Sequence, residues 1–229
     1  MFSFRGRMSG WLRITIHLFI GRVGNRPNEF KDNYRKPPKR RSAMARRIPI
    51  VSRDALSAEH QADYDEVAGI RGRAPVGGPS SVLIHSPEMA VRVNRLSEYL
   101  GEQSDLPEKI KRLAAIIAAR SMDCQFVWNA HAAAGRRAGL SDALADAIRD
   151  RTQLPAMPAD ESAVVNYGLE LTSTNKVSQE TFDAARNQLG VQGLVEFTTT
   201  MGYFRLLAIN ANACTIDLPD QLTEPVLPN

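Results

Sequence analysis

The stretch ARSMDCQFVWNAH, residues 119–131, decides how this chain is read. Positions i, i+3, i+4 and i+7 of an α-helix share one face, so Cys124, Val127, Trp128 and His131 form a single stripe. Those side chains can line one pocket. Arg120, four residues before Cys124, joins the stripe if the helix runs unbroken through Ser121, Met122 and Asp123. On the N-terminal side, Leu106-Pro107 opens a helix in which Ile110, Leu113, Ala114 and Ile117 recur at helical spacing, and its small residues allow close packing. On the C-terminal side, Gly139 suits the position just past a helix end and Ser141 suits the next N-cap.

The same pattern extends through the chain from Ile48 onward: helices joined by short Pro/Gly/Ser turns, with no convincing alternation of β-branched residues. One helix follows Ser57 as N-cap and carries Tyr64 and Val67. RGRAPVGGPS, residues 71–80, then breaks it; a surface loop is the default reading, although the loop is long enough to cover a pocket. After Pro87 a helix with Met89, Val93, Leu96 and Leu100 on one side runs to Gly101. Further helices are expected over residues 160–174, over 178–189 ending at Gly190, and over 192–211. The last is nearly apolar, with Leu194, Phe197, Met201, Phe204 and Leu207, and belongs in the core or at a subunit interface. LPDQLTEPVLPN cannot continue it. The fold class is all-α, a single domain over residues 48–215 followed by a Pro-rich C-terminal tail, 216–229.

The net charge of +4 hides a division. Residues 1–47 hold 13 of the 29 Lys+Arg and only two acids, Glu29 and Asp32, which leaves 16 bases against 23 acids and a net −7 for the remainder. An acidic body argues against nucleic-acid binding by the folded part, which requires clustered Lys and Arg. The Arg-rich, Pro-punctuated residues 1–45 read as a disordered tail or the product of a mis-assigned start, with Met44 as the alternative beginning; an organelle transit peptide is a further reading. The apolar run over residues 11–20 contains Arg13 and is about half the ~20 residues a membrane span needs. No membrane partner is expected. Cys124 and Cys214 form no CxxC and no metal spacing, which fits a reducing, cytoplasmic compartment. His60, His85 and His131 are dispersed, so no metal site is expected, and no nucleotide loop is present.

Residues 106–148, LPEKIKRLAAIIAARSMDCQFVWNAHAAAGRRAGLSDALADAI, resemble the carboxymuconolactone decarboxylase domain of the AhpD-like superfamily. The likeness is carried by Arg120, Gln125, Phe126, Trp128, His131, Ala138, Gly139, Leu140 and Ser141, and it extends more loosely across most of the chain after residue 50. It implies an AhpD-like helical bundle that assembles as a homo-oligomer, a trimer or hexamer. It also implies a cofactor-independent lyase acting on a small carboxylated lactone or ring compound, as in aromatic compound catabolism. Two departures alter what carries over. The peroxidase branch pairs two cysteines as CxxC followed by a His; here Cys124 and His131 match, but Val127 stands in place of the second cysteine, so a sulfenic acid at Cys124 has no adjacent resolving thiol. Many relatives also carry glutamates where this chain has Arg112 and Val127.

His131 is the candidate catalytic acid/base, with a pKa expected near neutrality for reprotonating the dienolate left by loss of CO₂. Cys124 is the second catalytic candidate, although a small buried hydrophobe is the more ordinary reading of it. Seven residues at 1.5 Å rise separate these two by about 10 Å, too far for a direct thiolate–imidazolium pair. Arg120 either anchors a substrate carboxylate or pairs with an acid such as Asp123 or Glu196. Trp128, Phe126 and Val127 are the expected pocket wall for a small-molecule substrate. Two rival readings are peroxiredoxin-type thiol chemistry through Cys124 and a non-catalytic oligomeric ligand-binding module.

Overall fold

The computed structural model describes residues 46–228, and the regular structure within them is helical. The expected basic tail, residues 1–45, lies outside the described residues. Helix α1, Ala58–Arg71, starts at Ser57, whose hydroxyl accepts the His60 amide, and stops where Gly72 turns left-handed at φ 67°. A short α2, Ser80–Leu83, follows the glycine loop. α3, Pro87–Glu98, has its proline in the first turn, where a missing N–H costs nothing, and runs into a single π-turn over Tyr99–Gln103. α4, Glu108–Ser121, and α5, Gln125–Arg137, come next. α6, Asp142–Asp150, is capped by the Ser141 hydroxyl, as its sequence predicts.

α7, Ala159–Thr174, leads to the longest element, α8, Gln179–Cys214. The chain bends sharply inside α8 at Gly190, where φ 67° and ψ 176° are a combination only glycine adopts readily. The expected end of one helix and start of another therefore meet at that residue without an intervening loop.

α4 is the centre of the packing. Every residue from Lys111 to Arg120 is buried, and α5, α6, α7 and α8 all pack against it. Burying a helix on all sides is stable only when its polar side chains find partners. Lys111 does so through the π-turn, its ammonium donating to the carbonyls of Gly101 at 3.0 Å and Ser104 at 2.8 Å. The buried Glu196 carboxylate of α8 accepts the hydroxyls of Ser104 and Tyr99. The π-turn is thus the junction that ties α3 to α4 and α8.

The C-terminal segment corrects the expected domain limit at residue 215. Its proline-rich backbone lies along α5, held by two side chains one turn apart: Gln125 Oε1 accepts the Leu227 amide at 2.7 Å, and Asn129 Oδ1 accepts the Thr223 amide at 2.7 Å. The Glu224 carboxylate is buried against Arg136. Prolines stop a helix but leave carbonyls and intervening N–H groups free for this pairing. Glu224→Ala is expected to lower stability by about 1–2 kcal/mol, as for a lost charge-assisted hydrogen bond. The loss is limited because Arg136 keeps Asp142 and Asp146. Urea unfolding of the variant checks this.

Candidate functional site

The stripe read from residues 119–131 is divided by the backbone. After α4 the chain turns at Asp123, whose φ of 46° is left-handed, and Cys124 is extended at φ −91° and ψ 96° as the N-cap of α5. Aspartate enters that region more readily than most residues, so no glycine is needed to break the helix. Arg120 consequently does not share a helix with His131. Its guanidinium forms an ion pair with Asp123 and donates to the Arg149 carbonyl at 2.6 Å and the Pro228 carbonyl at 3.3 Å. Of the two roles expected for Arg120, the structure shows the pairing with Asp123. Its donors hold the α4–α5 corner, α6 and the C-terminal segment together.

Val127 and Trp128 are buried in the first turn of α5. The indole N–H of Trp128 has no hydrogen-bond acceptor among the described residues. Phe126 points the other way, under the glycine loop. A Cβ added to Gly78, at φ +63°, would lie 2.7 Å from the Phe126 ring. The loop lies at the surface as expected, with Gly72, Arg73 and Gly77 exposed, while its Gly78 rests against the Phe126 ring.

His131 lies one turn further along α5, edge-on to Phe204 of α8 with ring centroids 4.4 Å apart. Its decisive contact is with α4, where Arg112 Nη1 lies 2.8 Å from His131 Nδ1. Close approach of the two helices permits this, since a Cβ at Gly135 would stand 3.4 Å from the Arg112 Cβ. A guanidinium has only donors, so Nδ1 must be the acceptor and the imidazole proton resides on Nε2. Arg112 is oriented by Glu108 one turn before it, with Nε to Oε1 at 2.7 Å. Burial, and then the Arg112 charge, lower the His131 pKa to about 3. This corrects the expected acid/base of near-neutral pKa: at pH 7 His131 is a neutral ring whose Nδ1 lone pair is occupied and whose Nε2–H can donate.

Cys124 is almost fully buried, at 1% exposure, and burial pushes its thiol pKa up, although the Val127 and Phe126 amides act in the opposite direction. Desolvation disfavours a thiolate, which is the reactive form. Cys214 ends α8 and is partly exposed; α8 reaches the corner before Cys124 through Asn212, which donates to the Met122 carbonyl at 2.7 Å, but both thiols are free. Native thiol labelling is expected to modify Cys214 rapidly and Cys124 only on unfolding, read as one fast and one slow equivalent by mass spectrometry.

Arg112, Glu108 and Phe204 are the site residues that the stripe did not reveal. The signal for the first two was the Glu-Arg spacing of four on α4, which favours an ion pair on one helix face. Among the described residues no three His, Cys, Asp or Glu side chains converge in a way that could hold a metal ion. No described helix is long and apolar enough to cross a membrane.

Comparison with known proteins bears on this arrangement. Residues 87–166, α3 into α7, match the profile of the Carboxymuconolactone decarboxylase family. A search of curated proteins gives no match. Among solved structures, an AhpD-core, peroxidase-related protein from Ralstonia eutropha is similar at TM-score 0.61 and 18% identity, over 76% of this chain and 93% of that one. The debrominase Bmp8 in complex with 2,3,4-tribromopyrrole is similar at TM-score 0.58 and 14% identity, over 78% and 94%. A protein from Agrobacterium tumefaciens described as a putative antioxidant defence protein AhpD gives TM-score 0.54 at 20% identity, over 61% and 96%. The family profile thus matches the helices that build the site, and the solved structures share the AhpD-like fold around them: the chain carries a region similar to the carboxymuconolactone decarboxylase family within an AhpD-like helical fold.

Proposed function

We propose that this protein is a cofactor-independent lyase for a small carboxylated lactone or ring compound, in which His131 acts as a neutral hydrogen-bond donor. The observation that carries the reading is the 2.8 Å contact from Arg112 to His131 Nδ1, which directs the imidazole proton to Nε2. When such a substrate loses CO₂, the bond to the carboxylate carbon breaks and its electron pair moves into the conjugated carbonyl, which becomes an enolate oxygen. A fixed neutral donor stabilises that oxygen without having to give up its proton, and water supplies the proton that completes the product.

A base at this position would need an unprotonated nitrogen facing the substrate, and the Arg112 bond opposes that. The test is turnover on a panel of carboxylated lactones. His131→Gln, whose side-chain N–H₂ can still donate, is expected to retain more activity than His131→Ala, which should lose about 10²–10³-fold in kcat. Equal, wild-type rates in both variants would end the proposal.

Thiol-peroxidase chemistry has less support, because Cys124 is buried, its thiol pKa is raised and Val127 occupies the place of a second cysteine. Loss of hydroperoxide reduction in Cys124→Ser would reverse this ordering. A ligand-binding module would bind the same lactones without turnover.

Assembly as a homo-oligomer, a trimer or hexamer, is part of the proposal. The support is a row on α8 that leaves Val191 70%, Val195 60% and Ile209 53% exposed. Burying such a row against another copy recovers roughly 25 cal/mol per Å² of apolar surface. Light scattering of the purified protein tests the assembly separately from activity.

A further inference from the structure

Arg71 is half-buried with its Nε sealed, and it differs from the buried Arg112 and Arg120 and the half-buried Arg136. Arg112, Arg120 and Arg136 are each held by a carboxylate at close range. Arg71, in the last turn of α1, has no carboxylate partner among the described residues. Among the described residues its one hydrogen bond is from Nη1 to the Asn94 amide oxygen at 3.4 Å, longer than a good N–H···O bond. Its Nε is sealed from solvent without an acceptor among the described residues. Asn94 cannot close in further, because its own amide donates to the Ala90 carbonyl at 2.8 Å and it is itself 2% exposed.

The surroundings add positive charge. Arg73, two residues on, acts on Arg71 as a like charge, and the neighbouring Tyr203 is a buried phenol beside Ser97. The acid on the preceding turn of α1, Glu66, is already taken by Arg95 at 2.6 Å. Desolvation first, and then Arg73, lower the Arg71 pKa to about 10. A guanidinium placed in a low-dielectric site without an anion is costly, and a planar oxyanion offers the bidentate partner that would satisfy it.

We infer that Arg71, with Arg73, Asn94 and Tyr203 around it, is a recognition site for the oxyanion group of a small ligand, a carboxylate or a phosphate. The site is separate from the Arg112–His131 pair but linked to it through adjacent residues of α8: Tyr203 acts electrostatically on Arg71, and its ring lies 5.3 Å from that of Phe204, which packs on His131. The inference does not depend on the lyase reading, since binding is read without turnover.

The experiment is a titration of the full chain with succinate and, separately, inorganic phosphate, followed by NMR and by thermal shift in a chloride-matched buffer. Wild type is expected to show saturable binding of at least one, and the tighter probe identifies the source of the oxyanion. Arg71→Gln should weaken that binding at least tenfold, while Arg71→Lys, which keeps the charge but not the planar fork, should weaken it less. In anion-free buffer Arg71→Gln should melt no lower than wild type, because no ion pair is lost. Absence of saturable binding by both probes, unchanged binding in Arg71→Gln, or a clear drop in its anion-free melting temperature would each overturn the inference.

Discussion

Arg112→Glu is expected to raise the His131 pKa from about 3 by about 2 units or more, the scale of exchanging a nearby like charge for an opposite one. In the wild type two causes act in the same direction: burial first, and then the Arg112 guanidinium 2.8 Å from Nδ1. The substitution leaves the burial and reverses the charge. A glutamate in that place can accept a hydrogen bond from Nδ1–H, so it favours the imidazolium and, in the neutral ring, moves the proton from Nε2 to Nδ1. Arg112→Gln, which removes the charge without replacing it, should give an intermediate shift. If His131 is the oxyanion donor, Arg112→Glu also lowers turnover by turning an unprotonated nitrogen toward the substrate. The His131 ring carbon–proton signal followed against pH reads the first effect; steady-state kinetics on the same protein reads the second.

Stability is expected to fall by about 2 kcal/mol between pH 7 and pH 5 through His131 alone. The sign follows from the two protonation states. In the unfolded chain the imidazole titrates at its ordinary value of 6.5; in the folded protein it does so at about 3. Between those values the unfolded state holds a proton that the folded state does not, so lowering the pH favours unfolding. The His131 contribution is fully present above 6.5 and is lost progressively as the pH falls toward 3, at up to about 1.4 kcal/mol per pH unit. Urea unfolding at the two pH values should show the loss in wild type. In His131→Gln the pH dependence should be smaller by about the same ~2 kcal/mol, since glutamine does not titrate. An equal acid sensitivity in the two proteins would place the responsible groups elsewhere.

Much of the helical framework was legible because helix ends are written in local chemistry. Ser57 and Ser141 cap helices through their hydroxyls, and Gly190 marks the bend in α8. The break between α4 and α5 was less legible: Ser121, Met122 and Asp123 contain neither glycine nor proline, and a left-handed aspartate carries no strong signal. That single backbone angle decides whether Arg120 belongs to the His131 stripe. The C-terminal segment was misread as lying beyond the domain because its prolines exclude a helix, whereas its contacts depend on Gln125 and Asn129, residues a hundred positions away in sequence.

The site itself was legible on one helix and hidden on the others. His131, Trp128 and Cys124 are visible as a helical pattern, but the group that sets the His131 proton comes from α4. An arginine is ordinarily read as a surface residue. Arg112 is buried with Glu108 and His131 among the partners of its donors, an arrangement that exists only once α4 and α5 pack. The guanidinium at this point holds the neutral imidazole in a single tautomer. The likeness to AhpD-like proteins concerns the fold, whereas the chemistry proposed for the site rests on the Arg112–His131 contact.

The tautomer of His131 is the point on which this account rests, and it is directly measurable. A long-range nitrogen–proton correlation spectrum of the labelled protein, recorded from pH 5 to 8, should show His131 neutral throughout with its proton on Nε2. A His131 signal that titrates near pH 6.5, or a ring carrying its proton on Nδ1, would contradict it.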